Sequence, residues 1–207
     1  MSGAGGPRSG EHGEGAERDG AQHDGAARDG AEQDGIVPDL KDWTWTLDRA
    51  CPECGADVRG LSPQDVAALV RESLPRWQRA LLAGPELVRR RPAPGTWSTL
   101  EYAAHVRDVF RVMHYRLDLM LTRESPEFPN WDQDATAVEE DYAGQDPRTV
   151  ATQLAAAGRG FADGLDAVLG RELARAGLRG NGSVFTVETL ARYAWHDVAH
   201  HLYDVGA

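Results

Sequence analysis

TWSTLEYAAHVRDVFRVMHYRLDLML, residues 96–121, reads as a single amphipathic helix with a defined start. The PAPG turn at 92–95 precedes it, and Ser98 with Glu101 has the spacing of a capping box, in which side chain and backbone satisfy each other's orphan groups. At about 100° per residue from His105, the side chains of Tyr102, Val109, Val112, Met113, Leu119 and Met120 fall within about 80° of it. His105 therefore faces the core side of the helix. His114 lies half a turn away among Arg107, Arg111 and Asp118, which predicts a solvated surface histidine.

Three further segments have the same period. Ser62 and Pro63 open a helix to about Ala83, with Val66, Leu69, Val70, Leu74, Trp77 and Leu81 as its stripe and a kink expected at Pro75. Asp146 and Pro147 open another, to about Leu169, carrying Val150, Leu154, Phe161, Leu165 and Val168. A last helix starts after Thr186 and runs to about Asp204. Between the second and third helices, Glu124 to Gln145 forms a long connection with Phe128, Trp131 and a short helix expected at Ala135 to Tyr142. Connections of that length line sites more often than they merely join elements. Four substantial helices, one long crossover and no expected sheet give an all-α four-helix bundle.

The last helix carries ARYAWHDVAHHLYDV, residues 191–205. Its aliphatic stripe is Val187, Ala191, Val198, Leu202 and Val205, while the opposite side holds Thr189, Tyr193, His196, His200 and Tyr203. A solvated face would carry several charged residues, and here only Arg192 falls within it. That side lines a pocket. His196 and His200 are one turn apart and point the same way, so their imidazoles can close on one metal ion. His105, facing the core from another helix, is the candidate third ligand. Three histidines leave a tetrahedral ion one open position.

The chain has 207 residues and a formal net charge of −11. Residues 1–35 contribute −5 of it, from eight acids against Arg8, Arg18 and Arg28. A glycine recurs every five residues from Gly5 to Gly35, and almost nothing large and apolar occurs there, so this segment is expected to be a disordered tail. Neither part offers the basic footprint that nucleic acid demands. No apolar run approaches the ~20 residues of a membrane span, and no signal peptide is recognisable. A cytoplasmic protein without nucleic-acid or membrane partners is expected.

Residues 36–61 read as an extended arm, KDWTWTLD leading into the knuckle CPECG. Cys51 and Cys54 are half of a zinc ribbon, and a closed structural site needs four ligands. Three readings stand side by side. The pair is reduced in a tight turn, or it is a zinc or redox site completed by other residues or another chain, or it is a disulfide, which a cytoplasmic setting disfavours.

The bundle from 62 to 207 resembles the DinB-like superfamily of metal-binding four-helix bundles, which includes bacillithiol transferases and mycothiol-dependent maleylpyruvate isomerases. TWSTLEYAAHVRDV is similar to that family's tryptophan-serine start and second-helix histidine, and HDVAH to its terminal HxxxH. The resemblance implies that His105, His196 and His200 hold a divalent metal such as Zn or Ni. It implies a metal-dependent thiol S-transferase acting on a small electrophile, with a low-molecular-weight thiol as cosubstrate and a homodimer as a possible assembly. A hydrolytic variant would use water instead. CPECG and NWDQDATAVEEDY point to a separate subgroup. The family's motif often continues with His, Arg, Gly and Gln where this chain has His201, Leu202, Tyr203 and Asp204, and the mycothiol-using branch commonly has glutamate where His196 stands. Asp108 and Asp204 are candidate acceptors behind the ligand imidazoles. The contrasting function is a non-catalytic metal-stabilised scaffold, with the knuckle docking a partner.

Overall fold

The computed structural model describes Ile36 and residues 41–207, so the expected tail at 1–35 lies outside the described residues. Four long helices dominate: α1 (Pro63–Leu81), α3 (Thr99–Thr122), α5 (Pro147–Asp166) and α6 (Val187–Asp204). Two short ones, α2 (Pro85–Arg89) and α4 (Gln133–Glu139), lie in the connections.

Each long helix starts where its sequence provides a cap. Ser62 with Asp65, Ser98 with Glu101 and Thr186 with Thr189 form reciprocal capping boxes, and Asp146 accepts from the Thr149 amide ahead of Pro147. The expected starts therefore hold. The ends fall two or three residues earlier than expected for α1 and α5, and α1 continues through Pro75 as one helix.

α5 packs against both α1 and α3, and α6 packs against the same two, so α1 and α3 sit on opposite sides of the bundle. Trp77, Phe110, Phe161, Leu154, Leu165 and Leu190 fill the interior. Gly158 allows the close approach of three helices: a Cβ there would lie 2.6 Å from Leu74 Cδ2 and 3.0 Å from Phe110 Cε2. Gly158→Val is therefore expected to destabilise by about 1–3 kcal/mol through overpacking. A melting temperature several degrees lower would show it, and an unchanged one would refute the tight contact.

The structure corrects the expectation of no sheet. β1 (Glu127–Phe128) pairs parallel with β2 (Ala176–Arg179), which pairs antiparallel with β3 (Val184–Thr186). Strands of two to four residues are too short for a period-two pattern to register. The sheet ties the 123–146 connection to the hairpin that leads into α6. Residues 44–47 form a 3₁₀ turn where an extended arm was expected, held by Thr46 bonding back to the Trp43 carbonyl. The short helix of the long connection starts at Gln133, two residues before the expected Ala135.

A buried polar network holds that connection down. Asp108 accepts from Arg107 at 3.0 and 2.7 Å, from Arg111 at 2.9 Å and from the Tyr142 hydroxyl at 2.7 Å. Arg107 also donates to Gln145 and Gln153. The loop and α3 meet at one carboxylate, and α5 joins them through Gln153 on Arg107. His114, expected to be solvated, is only partly exposed: it lies 3.8 Å from Asp118 with its ring against Gly160 and Gly164 of α5.

Candidate metal centres

α6 presents ligand-type side chains on two adjoining faces. His196 and His200 are four residues apart, and so are Asp197 and His201. Consecutive residues differ by about 100° around a helix, so the two pairs diverge from the same two turns.

The Asp197/His201 pair meets His105 and forms the first cluster. His105 Nε2 lies 3.4 Å from Asp197 Oδ1, and His201 Nε2 lies 3.5 Å from that same oxygen. The His105 and His201 rings stand edge to face at 4.9 Å. Ligands at about 2.0–2.2 Å from a tetrahedral ion lie about 3.3–3.6 Å from one another, so these separations fit an ion between the three. The burial argues the same way. His105 is fully buried, and its two ring nitrogens and Asp197 Oδ1 have no hydrogen-bond partner. Buried polar atoms are costly without a partner, and a cation would satisfy Nε2 and Oδ1 together.

The surroundings suit that role. Asp204 Oδ2 is 2.9 Å from His201 Nδ1, which makes Nδ1 the donor and leaves the Nε2 lone pair for a metal. Burial pushes the His105 imidazole below its ordinary range, with Asp197 opposing, so the neutral ligand form prevails. Burial also pushes the Asp197 carboxyl upward, but the combined pull of His105, His201 and His196 outweighs it and holds the group below the usual range. Trp131 stacks parallel on His105 at 5.4 Å, and Trp97 packs on it at 5.2 Å. Trp131 is fixed by donating to Thr136 Oγ1. The long connection thus covers the site.

The His196/His200 pair meets the knuckle and forms the second cluster. The donor atoms of Cys51, Cys54, His196 and His200 all lie within 4.8 Å of one another. Cys51 Sγ is 3.7 Å from His200 Nδ1, and Cys54 Sγ is 3.9 Å from His196 Nε2. Both cysteines are free thiols. Trp43 packs on both imidazoles, 5.4 Å from His196 and 5.0 Å from His200.

The three histidines that the sequence assigned to one ion are thus divided between two clusters. His196 and His200 do lie together, but beside Cys51 and Cys54, while His105 faces the neighbouring ridge of α6. The physical reason is the one-residue offset, which turns the helix face by more than a quarter circle. Asp197 and His201 were missed, although DVAHH offers a carboxylate and a histidine at the same spacing. Asp204 does stand behind a ligand-type imidazole, that of His201. Asp108 instead anchors the covering loop through Arg107 and Tyr142.

A recess of about 500 Å³ borders the first cluster through Trp97, Tyr102 and Asp204, with Arg76, Arg79 and Arg90 along its lining. The Tyr102 ring is 4.9 Å from that of His201. No helix among the described residues is long and apolar enough to cross a membrane.

Comparison with known proteins agrees with this architecture. No curated protein matches the chain. Among solved structures it resembles YfiT from Bacillus subtilis, described as a probable metal-dependent hydrolase with an unusual four-helix bundle topology. That likeness has a TM-score of 0.60 at 20% identity, over 69% of this chain and 85% of the other. The family model of the DinB superfamily matches residues 76–205, from the middle of α1 to the end of α6. The chain therefore belongs to the DinB superfamily.

Proposed function

We propose that this chain is a metal-dependent enzyme whose ion is held by His105, Asp197 and His201, and that it acts on a small electrophile. The observation that carries this reading is the convergence of three donor atoms, two of them buried without a partner, between walls of tryptophan. Three protein ligands leave a tetrahedral ion one position for substrate. A divalent ion such as Zn or Ni so held supplies Lewis acidity and lowers the pKa of a small acid that reaches it.

The chain's own residues do the rest. Asp197 places a negative charge in the site, Asp204 fixes the tautomer of His201, and Trp97 and Trp131 exclude water from His105. No hydroxyl or thiol of the first cluster offers itself as a nucleophile. The nucleophile is therefore brought in: a low-molecular-weight thiol in a transferase, which is our first reading, or water in a hydrolase, as the description of YfiT suggests for that protein. Arg76, Arg79 and Arg90 beside the recess favour an anionic substrate. A ligand set that leaves a position open also favours an enzyme over the non-catalytic scaffold.

The test presents metal-loaded protein with chlorodinitrobenzene and a panel of low-molecular-weight thiols, and separately with nitrophenyl acetate and no thiol. Turnover that requires a thiol and is lost in His105→Ala supports the transferase. Ester turnover without thiol, lost in the same variant, replaces it with the hydrolase. Rates equal to those of His105→Ala in both assays would overturn the enzymatic reading.

A further inference from the structure

The second cluster is independent of that chemistry. We infer that Cys51, Cys54, His196 and His200 form a closed four-ligand structural zinc site that fastens the arm ahead of α1 to helix α6. A zinc ion with Zn–S of about 2.3 Å and Zn–N of about 2.0–2.1 Å holds sulfur and nitrogen about 3.5–3.6 Å apart in tetrahedral geometry. The observed 3.7 and 3.9 Å are within a few tenths of an ångström of that. All four donors converge on one point with no additional residue needed.

The backbone of the knuckle is arranged for ligation. The Cys51 amide donates to the Ala56 carbonyl at 2.9 Å, the Gly55 amide donates to the Cys51 carbonyl at 2.9 Å, and Gly55 takes a positive φ of 75° that closes the turn. The imidazoles are arranged too. His200 turns Nδ1 to the sulfurs and Nε2 toward two carboxylates, 3.6 Å from Glu53 and 3.8 Å from Asp204. Such acceptors orient a ligating histidine and keep its other nitrogen as the donor. Cys51 is 1% exposed, Val58 is fully buried and Trp43 lies over both imidazoles, so the centre is shielded on that side, while Cys54 is half-buried at the edge of a surface recess.

A disulfide would satisfy the cysteines and leave two buried histidines unexplained. The zinc site uses all four. It also has a consequence for α6. His196 and Asp197 are neighbours, as are His200 and His201, so an ion gripping the first face fixes the rotation of the second. Asp204 touches a histidine of each cluster, 2.9 Å from His201 and 3.8 Å from His200. The knuckle site thereby positions the His105 site.

The experiment is cobalt substitution of the full, untagged chain. Tetrahedral cobalt bound by two thiolates gives an intense near-ultraviolet charge-transfer band, which a His/Asp/His site, lacking sulfur, cannot produce. We expect that band in wild type at one cobalt per two thiols, its intensity unchanged in His105→Ala, and its loss in Cys54→Ser together with one equivalent of tightly held metal. A wild type that binds cobalt without the band, or whose intact mass is 2 Da lower from a Cys51–Cys54 disulfide, would overturn the inference. Should Cys54→Ser fail to fold, thiol titration of wild type decides. Two thiols that react with Ellman's reagent only after a chelator is added support the site, and immediate reaction of both in zinc-loaded protein overturns it. Because His105→Ala removes only the first cluster, failure of one site is distinguishable from failure of the other.

Discussion

Asp197→Asn is expected to empty the His105 site and abolish turnover while leaving the fold in place. The replacement is nearly isosteric but uncharged, and the oxygen that lies 3.4 Å from His105 Nε2 and 3.5 Å from His201 Nε2 no longer belongs to an anion. Loss of residues that merely orient metal ligands costs about 10–100-fold in affinity or activity, and loss of a ligand's charge should exceed that. Melting of the metal-free protein should shift little, because the oxygen facing the two histidines makes no hydrogen bond of good geometry there. Metal affinity by calorimetry, read beside the melting curve, checks both halves. An affinity within a few-fold of wild type at this site would remove Asp197 from the ligand set.

Asp108→Ala is expected to produce the largest loss of stability among the polar substitutions, about 3–5 kcal/mol. It leaves the buried guanidinium of Arg107 without its carboxylate and the Tyr142 hydroxyl without its acceptor. Tyr142→Phe removes only the hydroxyl and should cost about 1 kcal/mol. Burial pushes the Asp108 carboxyl upward, but hydrogen bonds from Arg107 and Tyr142 outweigh it and hold the group below its ordinary range. A carboxylate depressed by folding stabilises the native state at pH above its unfolded value, and that contribution is lost as pH falls through the folded one. Denaturant midpoints of wild type should therefore decline through the acid range by more than those of Asp108→Ala. Parallel declines would show that the network does not titrate with folding. Because this network holds the loop that places Trp131 on His105, the variant should also weaken metal retention at the first cluster.

The bundle was legible because its signals are local. Capping residues at Ser98, Asp146 and Thr186, and apolar stripes of helical period, each constrain only a dozen or so neighbouring residues. The small sheet was not legible, since Glu127–Phe128 gains its strand character only by pairing with residues fifty positions away. The candidate metal centres show the same boundary. HxxxH and CPEC were visible as halves of sites, and the sequence left the knuckle open to completion by other residues. Nothing local says that residues 51 and 54 meet residues 196 and 200. Nor could spacing alone choose between two registers on α6, because 196/200 and 197/201 are equally good i, i+4 pairs. What decides is the rotation of α6 against α3, set by Ala194, Val198, Leu202 and the rest of the packed core. Asp204 was recognisable as an acceptor because it lies on the same helix as the imidazole it orients.

The proposed chemistry depends on one ion held by His105, Asp197 and His201. Anomalous scattering from crystals of the metal-loaded chain tests it most directly. A peak is expected about 2.0–2.2 Å from His105 Nε2, an Asp197 carboxylate oxygen and His201 Nε2, separate from any peak at the cysteines. A saturated crystal with no peak among those three side chains, or one whose only peak lies between the cysteines and His196 and His200, would contradict it.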